Sequence, residues 1–356
     1  MRNWRSTTAV LAVIPLLATA CDAEAQGEGG DLSADLTGAG ATFPNPLFQD
    51  WQYEYAFEQP GVHINYQSIG SGGGIEQFLQ DTVDFGSSER YLDDDELDAA
   101  RDQRGCDPIQ FPVIFGSVVP AVDNPDLEGL VLDAATLAAI FDREITSYDD
   151  EAIAELNPDM DLPDQEIVPV HRSDGSGTTY VFTNYLSHEV EEWDEEYGAH
   201  TEIDWAEGTV GGQGNEGVAG GVLQNEGGFG YLNQSYIQEE DDLYPVSVIN
   251  ADGNAIEPTL EATTAASDEA EIPEDYRFDI NDVGGEGFPI AGTNWIFAYE
   301  CGYDDDTAEA LRDYWTWATQ TEEADELAVE LGYAPMGPEL KERVAGEIER
   351  INVEDE

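Results

Sequence analysis

Basic residues are scarce in this sequence of 356 residues, which has 12 lysines and arginines against 78 aspartates and glutamates. The formal net charge is −66, and Lys341 is the only lysine. Nucleic acids and anionic lipid head groups bind proteins through cationic side chains, so this composition excludes both as partners. Self-repulsion of this size opposes compaction in dilute buffer but is screened at molar salt, where the Debye length is about 3 Å. The composition therefore indicates a halophilic protein.

Long apolar runs are also missing. The run at residues 9–18 is too short to cross a bilayer, and no later stretch is apolar enough to do so. Arg2 and Arg5 precede this run and small residues follow it, which is the layout of a secretory signal. The sequence therefore predicts export from the cytoplasm.

The segment LATAC (17–21) resembles a bacterial lipobox, in which the signal is cut before a cysteine that becomes lipid-modified. We therefore expect a lipoprotein signal peptide at residues 1–20 and lipidation of Cys21. Ordinary signal cleavage nearby, with Cys21 incidental, is the alternative. Residues 21–35 contain little that can pack, and we expect them to form a flexible acidic tether.

Cysteine is rare, with three residues in all. Lipidation of Cys21 leaves Cys106 and Cys301 as one pair in an oxidising compartment, and we expect a disulfide between them. Two separate thiols are the alternative.

Calcium-loop spacing is lacking in the two acidic triplets, at residues 93–95 and 304–306. Both triplets are interpreted as solvated surface, and no metal site is predicted.

Apolar β-prone runs alternate with helical patterns through most of the chain. The runs lie at residues 62–69, 109–122, 166–172 and 288–299, and the helical patterns lie at 45–58, 75–80, 134–141, 179–193 and 308–320. Strands separated by helices favour an α/β fold with largely parallel sheets. The mature length exceeds what one hydrophobic core usually supports, so two domains are expected.

Three loops rich in Gly, Ser and Thr each precede a predicted helix, at residues 38–44, 70–74 and 172–178. Backbone N–H groups and the positive end of the helix dipole favour an anion at such a position. A plain helix cap is the alternative for any one loop, but three in one chain indicate a site for a small oxyanion. None of the loops has the Gly-Lys-Ser/Thr of a Walker motif or a complete dinucleotide fingerprint, so nucleotide binding is disfavoured.

Arg172 stands directly before the third loop, and its guanidinium suits bidentate contact with a tetrahedral anion. Asp174 can hold that guanidinium by an ion pair, or it can simply cap the turn.

His171, Asp174 and Ser176 are the residue types of a nucleophilic triad. Three members within six consecutive residues can hardly converge, and Gly-x-Ser-x-Gly is missing. We therefore expect no enzyme and no cofactor.

Eight segments together resemble the phosphate-binding component of the high-affinity phosphate ABC transporter. They occur in the family's order over nearly all of the mature chain: GAGATFPNPLF (38–48), INYQSIGSGGGIEQF (64–78), VDFGSSE (83–89), LVLDAATLAAIFDREITSYDDEAIAELNP (130–158), VPVHRSDGSGTTYVFTNYL (168–186), GGFGYL (227–232), FPIAGTNWIF (288–297) and LGYAPMGP (331–338).

The resemblance implies a two-lobed periplasmic-binding-protein fold of type II, with two mixed sheets flanked by helices and a hinge of two crossovers. Residues 36–115 and 289–352 would form lobe one, and residues 116–288 would form lobe two. Binding of the anion would draw the lobes together.

The resemblance also implies the anion contacts, which fall on both lobes: Thr42, Phe43, Ser71, Arg172, Ser176, Gly177 and Thr178. The family has an aspartate that accepts a proton from bound phosphate, and this sequence has Glu89 there. Sulfate carries no proton at neutral pH and would face an uncompensated carboxylate, so phosphate is the expected ligand. Arg90 can pair with Glu89 or reach the ligand. The alternative is that Glu89 and Arg90 both face solvent.

The expected function is extracytoplasmic capture of inorganic phosphate and its delivery to the permease subunits of an ABC transporter. The protein would be a monomer on the outer face of the cell membrane or in the periplasm, in contact with the membrane only through its lipid anchor. A lipoprotein that senses or scavenges phosphate or arsenate without transport is the alternative.

Overall fold

A computed structural model describes residues 32–352 of the chain. The predicted signal peptide, Cys21 and most of the predicted tether lie outside the described residues. The strands are β1 Ala34–Gly40, β2 Val62–Ser68, β3 Phe85–Ser88, β4 Pro108–Val122, β5 Val131–Leu132, β6 Val168–Arg172, β7 Val210–Gly212, β8 Gly228–Asn233, β9 Tyr244–Pro245, β10 Ser247–Ile249, β11 Ala255–Ile256 and β12 Ala291–Tyr299.

The helices follow the strands in alternation over most of the chain. They are α1 Asn45–Glu58, α2 Ser71–Leu79, α3 Asp94–Arg104, α4 Ala134–Phe141, α5 Glu151–Leu156, α6 Gly177–Glu189, α7 Glu191–Glu196, α8 Gly214–Gln224, α9 Gln234–Gln238, α10 Leu260–Asp268, α11 Asp305–Gln320, α12 Glu322–Glu330 and α13 Pro338–Ile348. The predicted helix at 45–58 and the predicted helix at 134–141 have these bounds in the structure. The alternation of strands and helices confirms the predicted α/β class.

The strand β4 organises the main sheet. The strand order is β2-β1-β3-β12-β4-β8-β6-β7, with β9 also paired to β4, and a separate small sheet has the order β11-β10-β5. The pairs β1–β2, β1–β3, β6–β7 and β6–β8 are parallel, whereas β12 and β8 are antiparallel to β4. Because the 15 residues of β4 belong to both halves, the two predicted mixed sheets form one continuous path.

Two clusters of buried apolar side chains lie on the two halves of this path. The first core includes Phe85, Phe297 and Trp315, and the second core includes Phe182 and Tyr231. The early part of β4 contributes to the first core and its later part contributes to the second core. The arrangement positions the C-terminal ends of β1, β3 and β6 near the boundary between the cores.

The segment at residues 276–283 packs on the first core, although the sequence-based boundaries assign it to the second lobe. Its anchor is Phe278, whose ring lies 5.4 Å from that of Trp295 and 6.4 Å from that of Phe115. Trp295 Nε1 also donates a hydrogen bond to the carbonyl oxygen of Tyr276 at 2.8 Å. Likewise β1 begins at Ala34, inside the predicted tether, because residues 34–40 pair along β2.

The second Gly-rich loop differs from its prediction, since α2 begins at Ser71 rather than at residue 75. Glycine ordinarily weakens a helix, but here packing requires it. A Cβ atom on Gly74 would lie 2.4 Å from Gly40 Cα and 2.7 Å from the carbonyl oxygen of Ser87. The helix therefore continues through the glycines and lies directly on β1 and β3.

Both acidic triplets cap helices. The side chain of Asp93 accepts the N–H of Glu96 at the start of α3, and that of Asp304 accepts the N–H of Thr307 at the start of α11. Acidic residues in a first turn are favoured by the helix dipole. These contacts give both triplets a structural role at the start of a helix.

A disulfide joins Cys106 and Cys301, whose Cα atoms are 6.1 Å apart. It ties the turn before β4 to the loop after β12. Within residues 32–352 no helix has the length and apolarity that crossing a membrane requires.

Two glycine-to-alanine substitutions test the packing of α2. Gly74→Ala should lower the free energy of unfolding by about 1 to 3 kcal/mol, because the new methyl group meets backbone atoms. Gly346→Ala in α13 has open space around its Cβ position and should raise stability by about 0.5 to 1 kcal/mol. Urea denaturation measures both changes. Equal effects of the two substitutions would contradict the close approach of α2 to the sheet.

Candidate functional site

Arg172 ends β6 and is almost fully buried, with 3% of its surface exposed. Its Nε atom donates to Asp174 Oδ1 at 2.9 Å and its Nη2 atom donates to Oδ2 at 2.5 Å. Burial by itself raises the pKa of Asp174, but the hydrogen bond and the charge of Arg172 outweigh burial, so the net pKa is below its ordinary value. Asp174 therefore stays ionised, and its two oxygens hold one edge of the Arg172 guanidinium in place.

The other edge of the guanidinium faces the start of α6. Arg172 Nη1 donates to Thr178 Oγ1 at 3.2 Å. Asp174 Oδ1 also accepts the N–H of Gly214 at 3.0 Å, which ties the arginine to the beginning of α8. The guanidinium of Arg172 is therefore held at the end of β6 by contacts with the beginning of α6 and, through Asp174, with the beginning of α8.

Glu89 directly follows β3 and is buried, with 3% of its surface exposed. This position contradicts the alternative in which it faces solvent. Its Oε2 atom accepts from Thr178 Oγ1 at 2.8 Å, and its Oε1 atom accepts from Asn233 Nδ2 at 3.1 Å. Burial raises the pKa of Glu89 to about 7, against the lowering effects of Thr178, Asn233 and the charge of Arg172.

The first loop lies opposite α8. Thr42 is buried, and its Oγ1 atom accepts a hydrogen bond from Asn215 Nδ2 at 2.7 Å. The ring of Phe43 packs edge-on against Tyr333 at 5.1 Å, so only its backbone can reach a ligand in the site. Tyr236 and Tyr333 hold this loop by donating to the carbonyl oxygens of Thr42 and Phe43, both at 2.6 Å.

The second and third loops meet at their glycines. The N–H of Gly72 donates to the carbonyl oxygen of Gly175 at 2.8 Å. A Cβ atom on Gly177 would lie 2.4 Å from Ser71 Oγ and 2.5 Å from Glu89 Cβ. Ser71 Oγ also accepts the N–H of Glu89 at 3.2 Å. Glycine at 177 is thus required for the beginning of α6 to approach β3.

Ser176 is the N-cap of α6, and its Oγ atom accepts the N–H of Thr179 at 3.0 Å. Its hydroxyl hydrogen stays available to donate. Because α6 begins at Gly177 rather than at the predicted residue 179, Gly177 and Thr178 belong to the first helical turn. Their N–H groups are among those that a helix does not satisfy internally.

Arg90 and His171 are neighbours of Glu89 and Arg172 in the sequence, but their side chains bond to other groups. Arg90 Nη2 pairs with Glu96 Oε1 at 2.6 Å, so of the alternatives for Arg90 the ion pair with Glu89 is not formed. The competing carboxylate Glu96 belongs to the capping box of α3, which holds it next to Arg90. The ring of His171 stacks on Trp205 at 4.8 Å, and its Nδ1 atom faces the carbonyl oxygen of Arg172 at 2.8 Å.

The arrangement combines one guanidinium, several hydroxyl and backbone donors and one buried carboxylate. The predicted site residues that the structure brings together are Thr42, Ser71, Glu89, Arg172, Ser176, Gly177 and Thr178. Such a set suits an anion with several oxygens, of which one carries a proton for the carboxylate. The three residues of the triad types have other partners: Asp174 pairs with Arg172, Ser176 Oγ accepts the N–H of Thr179, and His171 Nδ1 faces the carbonyl oxygen of Arg172.

Comparison with known proteins supplies the family. Residues 22–322 match the model of the PBP superfamily domain. The phosphate-binding protein PstS of Xylella fastidiosa strain Temecula1 is 41% identical over 317 residues, which are 88% of this chain and 84% of that protein. The corresponding PstS of Methanocaldococcus jannaschii is 34% identical over 81% of this chain and 79% of its own length.

The chain belongs to the PstS family of the PBP superfamily.

Solved structures agree at the level of the fold. A high affinity periplasmic phosphate-binding protein bound with phosphate at pH 8.5 aligns with a TM-score of 0.74 at 21% identity, over 88% of this chain and 93% of that one. A phosphate ABC transporter substrate-binding protein from Clostridium perfringens aligns with a TM-score of 0.62 at 18% identity, over 85% of this chain and all of that one. The predicted two-lobed periplasmic-binding fold is confirmed.

Sequence reasoning missed Asn215 and Asn233, which are both buried in this cluster. Asn215 lies in GGQGNEG (211–217), which is a fourth Gly-rich segment that opens a helix, here α8. Asn233 directly follows GGFGYL (227–232) at the end of β8. The signal that could have found Asn215 is the same loop-to-helix pattern that revealed the other three loops.

The pH dependence of stability tests the burial of Glu89. Since the pKa of Glu89 is raised from 4.5 to about 7 in the folded protein, its contribution to stability is present below about pH 4.5 and is lost as the pH rises through about 7. Glu89→Gln stays neutral, so without ligand its stability relative to the wild type should rise by about 2.5 kcal/mol as the pH rises from 5 to 8.

Urea denaturation at both pH values measures the difference. Glu342→Gln, at an exposed position of α13, is the matched control and should show no such change. A pH-independent difference between Glu89→Gln and the wild type would contradict a buried carboxylate at this position.

Proposed function

We propose that this protein captures inorganic phosphate outside the cytoplasm and delivers it to an ABC transporter for import. The observation that carries the proposal is the buried carboxylate of Glu89 among the donors of the site. A carboxylate in an anion site is favourable only when the ligand brings a proton to it. Phosphate does so at neutral pH, and the names of the family members given above agree with this ligand.

The proposed phosphate ligands are Thr42, Phe43 through its backbone, Ser71, Glu89, Arg172, Ser176, Gly177 and Thr178. Asp174 supports Arg172. Charge-assisted hydrogen bonds contribute about 1.5 to 3 kcal/mol each, and micromolar capture requires about 8 kcal/mol. These residues therefore supply enough binding energy after the costs of closure. We assign no metal and no catalytic role to them.

We propose that residues 36–115 and 289–352 act as one lobe, joined by the segment at 276–283 that packs on the first core, and that the rest of residues 116–288 act as the other lobe. The two lobes would close on the anion. Contacts between residues of the two proposed lobes support this reading. They include Asn215 Nδ2 to Thr42 Oγ1 at 2.7 Å, the N–H of Gly72 to the carbonyl oxygen of Gly175 at 2.8 Å, and Glu89 to Thr178 at 2.8 Å. Release of phosphate requires that these bonds break.

We propose further that residues 1–20 are a lipoprotein signal and that Cys21 carries the lipid anchor on the outer face of the membrane. The protein would act there as a monomer that docks on permease subunits. The high acidic charge suits a medium of molar salt, in which repulsion between the protein and the phosphate dianion is screened. Mass spectrometry of the protein from its native membrane should show a lipid-modified cysteine as the first residue, and an N-terminus without lipid would overturn the anchor.

Isothermal titration at high salt tests the ligand. Phosphate should bind at micromolar or tighter strength, and sulfate should bind much more weakly at pH 8, where it faces the carboxylate of Glu89 without a proton. Equal affinities for the two anions would overturn the role of Glu89.

The same titration tests the anchor of the anion. Arg172→Ala should weaken phosphate binding by at least about 3 kcal/mol, which is roughly 150-fold in Kd, because it removes charge-assisted bonds from a buried anion. Arg312→Ala is the matched control, since Arg312 bonds to the carbonyl oxygen of Ile351 at the far end of the chain. Near-normal affinity in Arg172→Ala would remove this residue from the site.

A further inference from the structure

Two buried asparagines form a chain of hydrogen bonds that ends on Glu89. The backbone N–H of Asn233 donates to Asn215 Oδ1 at 3.1 Å. Asn215 Nδ2 donates to Asn233 Oδ1 at 2.7 Å, and Asn233 Nδ2 donates to Glu89 Oε1 at 3.1 Å. Both side chains are at most 1% exposed, so water does not replace these partners. We call this chain the asparagine relay.

The direction of the relay is fixed at its start. A backbone N–H can only donate, so the atom of Asn215 that faces it must be the amide oxygen. The amide nitrogen of Asn215 then points to Asn233, whose oxygen must face it in turn. The remaining NH₂ group of Asn233 is therefore aimed at Glu89 and offers it a hydrogen.

A second one-way chain reaches the other oxygen of the same carboxylate. Arg172 Nη1 donates to Thr178 Oγ1 at 3.2 Å, and the guanidinium has no acceptor. Thr178 Oγ1 lies 2.8 Å from Glu89 Oε2 and 3.0 Å from Asn233 Oδ1. Because Asn233 Oδ1 already accepts from Asn215, the hydroxyl hydrogen of Thr178 goes to the nearer, charged Glu89. Both oxygens of Glu89 thus stand at the accepting end of a chain.

We propose that Asn233, oriented by Asn215, is a positioning residue that keeps Glu89 a proton acceptor and thereby extends the selection of protonated oxyanions to more acidic pH. The inference rests on the proposed function and adds to it the residue that sets its pH range. A carboxylate that receives a hydrogen on each oxygen is favoured in its ionised form. An ionised carboxylate has further lone pairs that can accept the proton-bearing oxygen of a ligand.

Charged and titratable groups face Glu89 from several elements. Arg172 on β6 favours the ionised form, and Asp174 neutralises part of that charge. Tyr66 on β2 and Tyr333 lie close enough to interact with the charge of Glu89, and burial keeps the pKa of both phenols well above the ordinary value. Asp279 and Glu89 line the same cavity of about 10 Å³. None of these groups donates a hydrogen bond to Oε1, so Asn233 has a distinct effect there.

Asn233→Leu tests the relay at nearly constant volume. The ratio of the sulfate Kd to the phosphate Kd is measured by titration from pH 5 to 9. In the wild type this ratio should fall as the pH is lowered through the titration of Glu89, because a protonated carboxyl can donate to sulfate. Loss of the Asn233 donor should shift the midpoint upward by about one unit or more.

Asn157→Leu is the matched control. Asn157 is a buried asparagine beside the second core, and its side chain bonds to backbone groups of Val131 and Ile153. It should leave the midpoint unchanged while costing stability in a comparable way. An unshifted midpoint in a folded Asn233→Leu protein would overturn the relay.

Asn215→Asp is the second variant, and it should fold even where Asn233→Leu does not, because its shape is retained. Its carboxylate cannot donate to Asn233 Oδ1, so the Asn233 amide turns over and presents its oxygen to Glu89. The midpoint should again rise. The shift that Asn215→Asp adds should vanish when the protein also carries Asn233→Leu, because no Asn233 amide is left to turn over. A shift of the same size in the double variant and in Asn215→Asp alone would come from the charge of the aspartate and would overturn the relay.

A readout without ligand separates this proposal from the function itself. The pH dependence of stability of each protein relative to its own Glu89→Gln derivative reports the titration of Glu89 directly. Its midpoint should move upward in the Asn233→Leu background even if phosphate does not bind. Failure of phosphate to bind the wild type overturns the proposed function alone, and an unmoved midpoint overturns the relay alone.

Discussion

The arrangement of the candidate site depends on one buried carboxylate, that of Glu89, which is surrounded by hydrogen-bond donors. Glu89 is taken out of water between the first and second cores, where burial raises its pKa to about 7. Thr178 and Asn233 each give one hydrogen bond to it, and the charge of Arg172 favours its ionised form. An anion that brings its own proton completes this arrangement, whereas one without a proton adds repulsion at close range.

Close backbone approach brings the donors to that carboxylate. The glycines at 74 and 177 let α2 lie on the sheet and let α6 begin next to Ser71 and Glu89. The same approach explains why a stretch rich in glycine is helical, since the packing of α2 on β1 and β3 outweighs the weak helix propensity of Gly72 to Gly74. The helices that follow the three loops begin close to one another, two of them beside the first core and one beside the second core.

Much of this was predictable from the sequence, for reasons that are local. Pro44 and the pattern of residues 45–58 mark α1, and the alternation of strands and helices gives the α/β class. Arg172 and Asp174 are two residues apart on the chain, so a local rule anticipated a contact that the structure contains. The start of α2 at Ser71 does not follow from the local sequence, because Gly74 packs against atoms of Gly40 and Ser87, which are distant along the chain from Gly74 or lie on another strand.

The network behind Glu89 could not be predicted in the same way. Asn215 and Asn233 are polar residues of ordinary type. The pairing of Asn233 on β8 with Val118 on β4 and the start of α8 place them beside the carboxylate. The packing of residues 276–283 on the first core likewise depends on the contact of Phe278 with Trp295 on β12.

The most direct measurement is a crystal structure of the protein grown with phosphate at high salt. We expect one phosphate that contacts Arg172 and the N-terminal turns of α1, α2 and α6, with one oxygen within hydrogen-bond distance of Glu89. The Asn215–Asn233 bonds should be unchanged there. A phosphate bound elsewhere, or Glu89 turned away from the anion, would contradict the account.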